Sequence, residues 1–136
     1  MNEKRSSLVE WSNAARQLLN ELENIVQKVG LTWGTFVILH QLYGKEYLTP
    51  EQFSQFDQIS RPAISRKLNM LQSQNFIQKL RNNEKDQRKV RIYITEMGKL
   101  NYLSAIESLS KLDKTIDKTN IAQLNSIVVK CRNLRV

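Results

Sequence analysis

Residues 60–99 read SRPAISRKLNMLQSQNFIQKLRNNEKDQRKVRIYITEMGK. Ser60 is a natural helix cap, and Ile64, Leu68 and Leu71 follow at spacings of four and three, the inward stripe of a helix. Its outward side is left to Arg61, Ser65, Arg66 and Asn69. Asn75 suits the left-handed residue that closes a helix, being the usual substitute for glycine there. Phe76, Ile77 and Leu80, then Val90, Ile92 and Ile94 alternating with Arg91 and Tyr93, predict two strands. The polar tip from Arg81 to Lys89 joins them, and a β-hairpin is the economical reading.

Charge singles out the same stretch. The 136-residue chain carries 21 basic and 13 acidic side chains, a net charge of +8. Within residues 60–99 there are ten basic against three acidic residues, so +7 of the excess lies in 40 residues and the rest of the chain is close to neutral. An evenly spread solubilising charge would not concentrate this way. A basic surface built on a helix and hairpin points to double-stranded DNA as the partner.

Outward from that stretch, Thr49-Pro50-Glu51-Gln52 offers an N-cap, a proline at the first helical position and a capping box, predicting a short helix to about Asp57. Two capped helices separated by a tight turn, the second with exposed arginines, make a helix-turn-helix. The hairpin after it makes the motif winged. Thr32 can cap a helix through Leu42 that is apolar nearly all round and so central. From Leu8 to Val29 apolar residues recur in steps of three and four, an amphipathic helix ending near Gly30. Thr95-Glu96 starts a long helix with apolar residues at 100, 103, 106, 109, 112 and 116. Asn120, with Gln123 three residues on, can start a last helix through Ile121, Leu124, Ile127, Val128, Cys131 and Leu134. The expected fold is mainly α with a small β-hairpin wing: a winged helix-turn-helix core flanked by terminal helices.

Other classes find little support. A single cysteine, Cys131, and a single histidine, His40, leave no disulfide framework and no zinc-ligand set, and no cofactor is expected. No Gly-rich phosphate loop or nucleophile with a nearby base is legible, which argues against an enzyme. The N-terminal residues lack the apolar run of a signal peptide and no stretch approaches a membrane span, so a cytoplasmic protein without a membrane partner is expected.

From Leu31 to Gly98 the chain resembles the MarR family of winged-helix regulators. The resemblance is carried by Leu31-Thr32, by Ile64-Ser65-Arg66 with Leu68 and Leu71, and by Phe76-Ile77 with Lys79. Its strongest part is Asp86-Gln87-Arg88 followed by Ile94-Thr95 and Gly98, similar to the family's D-x-R wing and L-T-x-x-G exit. Gln58 and Asn75 stand where the family often has glycine. The resemblance implies one domain, with 31–99 as the DNA-binding region and 1–30 and 100–136 as dimerisation helices. It implies a homodimer on a pseudo-palindromic operator, recognition helix in the major groove and wing in the minor groove. A repressor is favoured because an operator-bound dimer obstructs polymerase by occupancy alone.

On this reading Arg61 and Arg66 reach guanine edges or phosphates, and Ser60 and Ser65 add polar contacts. Arg88 resembles the arginine that enters the narrow minor groove, Asp86 its partner within the wing, and Lys85, Lys89 and Arg91 are phosphate candidates. Lys79 and Arg81 are read as charges that blunt a strand edge. His40 is read as a packed, hydrogen-bonded core residue, and Cys131 as packing or dimer interface. Trp11, Trp33, Phe36 and Tyr43 could line a small-molecule effector pocket or simply be core. A competing function is a winged-helix module that docks an acidic protein.

Overall fold

A computed structural model describes residues 3–57, 59–81 and 89–135, without the side chains of residues 3–6 and 57. Among them the order is α1 (Glu3–Gln27), α2 (Trp33–Leu42), α3 (Pro50–Asp57), α4 (Arg61–Ser73), β1 (Ile77–Arg81), β2 (Val90–Ile94), α5 (Glu96–Asp113) and α6 (Lys118–Leu134). The strands form an antiparallel pair with Lys79 opposite Ile92, and Leu48 adds a single bridge to Ile92 on the far side of β2. The mainly α, winged arrangement expected from the caps and periodicities is the one observed.

Local chemistry sets most boundaries. Thr32 Oγ1 accepts from the Thr35 amide at 3.0 Å and Thr35 Oγ1 accepts from the Thr32 amide at 2.9 Å, so two amides at the start of α2 are satisfied reciprocally. The next amide, of Trp33, donates to Glu23 Oε2 at 2.8 Å and ties α2 to α1. At Thr49 the capping box is only half formed: Gln52 Oε1 accepts from the Thr49 amide at 2.8 Å, and the threonine hydroxyl turns to the same oxygen.

Two helices end alike. Gly30 (φ +81°) follows α1 while the Leu31 amide reaches back to Val26 O at 3.2 Å; Asn75 (φ 64°) follows α4 while the Phe76 amide reaches Leu71 O at 3.0 Å. Both left-handed residues satisfy carbonyls a helix end leaves unpaired.

The core joins α2, α3, α4 and the inner hairpin face through Ile38, Leu39, Leu42, Phe53, Ile64, Leu68, Leu71 and Ile92, each at most 2% exposed. Thr95 locks the exit of the hairpin to the end of α4: its hydroxyl donates to Asn75 O (2.6 Å) and accepts from the Gly98 amide (3.0 Å), and its amide donates to Phe76 O (3.1 Å). A Cβ on Gly98 would lie 2.1 Å from Phe76 O, so only glycine allows this approach.

Two expectations are corrected, and the inward face of α5 is defined. The inward stripe of α5 is Gly98, Tyr102, Ala105 and Leu109, while Leu100 and Leu103 are 65% and 43% exposed. Helix α6 starts at Asp117, whose carboxylate accepts from the Asn120 amide at 3.0 Å; Asn120 returns the bond to the Asp117 amide at 3.1 Å and is the third helical residue, not the cap. His40 is hydrogen-bonded, Nδ1 to Tyr102 OH at 2.7 Å, but exposed, because α2 turns it to the rim and not the core.

Candidate nucleic-acid interface

The recognition helix α4 buries Ile64, Leu68 and Leu71 and projects Ser65, Arg66 and Asn69 to solvent. Grooves flank it on both sides. On one side lies a depression of about 300 Å³ between α4 and the start of α2, lined by Thr32, Thr35, Ala63, Arg66, Lys67 and Met70. Toward the hairpin lies a larger one, about 450 Å³, whose lining includes Ser65, Gln72, Lys79 and Arg81. Cations therefore border the exposed ridge of α4 on both sides.

The helix begins at Ser60, whose Oγ accepts from the Ala63 amide at 3.4 Å, with Pro62 in the first turn where no amide donor is needed. Ser60 is engaged as the cap. Arg61 is engaged too: its Nη2 lies 3.0 Å from Glu51 Oε1 on α3, an exposed ion pair. The Glu51 carboxyl is held below the ordinary carboxylate value, first by a hydrogen bond from its own backbone amide and further by the Arg61 charge, with slight burial opposing. Arg66, in contrast, has no ion-pair partner among the described residues.

The hairpin presents two different faces. Paired residues share a face, so Lys79 and Arg81 lie with buried Ile92 and half-buried Val90 on the side turned to α4. Gln78 and Leu80 lie outside with Tyr93 and Arg91. The Arg91 guanidinium stands 4.5 Å from the centre of the Tyr47 ring, and its pKa is raised first by a hydrogen bond to Tyr93 and then by Tyr47. Arg91 is thus braced on the outer face of the wing, away from α4. Lys89 is exposed at the start of β2. Lys85, Asp86 and Arg88 lie outside the described residues, as does Gln58 of the turn.

Sequence reasoning missed Glu51 as the partner of Arg61 and the inward turn of Lys79. The first is a contact between helices that no spacing rule exposes. The second was legible: with Ile77 inward, strict alternation turns Lys79 and Arg81 inward and Leu80 outward.

Of the aromatic residues, Trp33, Phe36 and Tyr43 come together with Tyr102, with ring centres 5.0 Å apart for Trp33–Phe36, 5.5 Å for Phe36–Tyr102 and 4.8 Å for Tyr43–Tyr102. Burial and the neighbouring Tyr43 raise the Tyr102 pKa. Trp11 stands apart, lining a groove of about 680 Å³ with Asn120, Gln123, Leu124 and Ile127 of α6. No group of acidic, histidine or cysteine side chains that could hold a metal occurs among the described residues, and none of their helices is long and apolar enough to cross a membrane.

Residues 20–102 match the family model for the transcriptional regulator SarA/Rot. No curated protein sequence matches the chain. Among solved structures, a MarR mutant from E. coli complexed with operator DNA superposes with a TM-score of 0.70 at 20% identity, over 93% of this chain and 91% of that one. An organohalide-sensing transcriptional regulator in its 2,4-dichlorophenol-bound form gives 0.79 at 18% identity, over 98% and 81%. AbsC, a MarR family regulator from Streptomyces coelicolor, gives 0.78 at 16% identity, over 98% and 94%. At these identities the likeness is one of fold, and it is the fold that the wing motif implied.

Proposed function

Because the chain belongs to the SarA/Rot family of transcriptional regulators, we infer that it binds operator DNA as a homodimer, with α4 in the major groove and the hairpin against the minor groove. The observation that carries this reading is the ridge of α4: Ser65, Arg66 and Asn69 exposed between two grooves bordered by Lys67 on one side and Lys79 and Arg81 on the other. Arg66 is the foremost base or phosphate contact, Ser65 a second and Lys89 a phosphate contact, while Lys85, Asp86 and Arg88 keep the roles that the family resemblance implies. Arg61 acts through Glu51 by bracing α3 against α4, and Ser60 by capping. The function is binding and not catalysis, in the cytoplasm, and repression follows from occupancy.

The division of labour is 31–99 for DNA and 1–30 with 100–136 for pairing. Helix α6 has no buried residue, and Ile121, Leu124, Val128 and Val129 are 38–54% exposed, which supports a second copy as its cover. A small-molecule effector belongs to the reading as well, on the model of the dichlorophenol-bound regulator.

A salt titration of duplex binding tests the core of this proposal. Neutralising several phosphates gives a log–log slope of magnitude well above 1, and Arg66→Ala weakens binding by about 1–3 kcal/mol. A slope near zero refutes it, and capture of an acidic protein without any duplex shift supports the protein-docking reading instead.

A further inference from the structure

Lys79 occupies a position where strand alternation favours an apolar side chain. It pairs with Ile92, which is fully buried, while the next residue, Leu80, is 45% exposed. The sheet thus turns a lysine in and a leucine out, against the usual preference. What the inward lysine meets is the recognition helix: its Nζ donates to Oδ1 of Asn69, three residues beyond Arg66 on the exposed ridge of α4.

We propose that Asn69 and Lys79 act as one unit that selects guanine over adenine at one position of each half-site. The inference rests on the placement of α4 in the major groove. A free asparagine amide reads adenine by accepting from N6 through Oδ1 while donating to N7 through Nδ2. Here one of the two Oδ1 lone pairs is taken by an ammonium group, whose charge opposes the approach of the adenine amino hydrogens to the other. What the pair turns to the groove is mainly the donor side of the amide, its Nδ2 hydrogens. Guanine, with acceptors at both O6 and N7, is the base edge that matches. Lys79 is therefore a positioning residue: it fixes which way the amide faces and weakens its acceptor toward another donor. Were Lys79 only a charge that protects a strand edge, replacing it would leave base preference untouched.

The test is selection of bound sequences from a randomised duplex pool by wild type, Asn69→Ala, Lys79→Met and Lys79→Arg, with folding followed by circular dichroism. Wild type enriches guanine at one position per half-site, and Asn69→Ala loses that preference. Lys79→Met, which keeps the stem but frees Oδ1, moves the preference toward adenine by roughly tenfold. Lys79→Arg, which keeps a donor, retains guanine. Identical base preferences for wild type and folded Lys79→Met overturn the inference, as does a guanine preference that survives Asn69→Ala. Failure of wild type to enrich any sequence overturns the operator reading and this inference with it, whereas enrichment unaffected by either residue overturns this inference alone.

Discussion

Glu51 and Arg61 join the second residue of α3 to the first of α4, and the pair has a pH signature. A carboxyl whose folded pKa is depressed adds stability that is present above its unfolded value of 4.5 and is lost as pH falls through the folded value. Because both side chains are more than half exposed, solvent screening keeps the effect to roughly a few tenths of a kcal/mol. Urea titrations should find wild type slightly more stable than Glu51→Gln at pH 7, with the difference lost as pH falls through the folded carboxyl value. A difference that persists in acid would assign the effect to packing. This contact also shows where sequence reading stops at the residue scale. Arg61 and Arg66 have the same side chain one and six positions after the same cap, and only the fold reveals that one of them faces a carboxylate. His40 fails for a related reason: its hydrogen bond was foreseeable, but whether a residue of an all-apolar helix faces the core or the rim depends on which neighbours cover it.

At the scale of elements, the caps were read well because they are local. Thr32, Ser60 and Thr95 each sit within three residues of the amide they satisfy. Helix α6 shows the limit of that logic, since Asp117 and Asn120 are both competent caps three residues apart and one serves as partner to the other. The inward stripe of α5 was not marked in the sequence because two of its residues, Gly98 and Ala105, are small, and periodicity of large apolar residues does not reveal them. Gly98 can be tested directly. A methyl there meets Phe76 O at 2.1 Å, and the carbonyl it displaces is bonded to the Thr95 amide. Gly98→Ala should therefore destabilise the fold by about 3 kcal/mol, seen as a lower denaturation midpoint. A midpoint within experimental error of wild type would show that the hairpin exit can shift freely.

For the whole molecule, the hairpin and α2 to α4 form a core around Ile38, Leu42, Phe53, Leu68 and Ile92, while the terminal helices carry apolar residues outward. Leu8 is 73% exposed, Leu100 65% and Leu134 80%. The helical periodicity of these residues was plain in the sequence, but what covers them could not be read from one chain, because a stripe that meets a second copy has the same spacing as one that meets its own core. If a second copy is the cover, Leu124→Asp should convert the dimer to a monomer in sedimentation equilibrium and weaken operator binding by at least tenfold. A variant that stays dimeric would place the interface elsewhere.

The bare face of α6 has a further consequence, for gene dosage. If a second copy covers it, a chain that must find its double before it can grip both half-sites responds to its own abundance with a second-order law. Below the pairing constant, doubling the number of chains raises the number of operator-ready units about fourfold. Modest changes in synthesis or turnover would then be amplified at the promoter, with no ligand needed to sharpen the response.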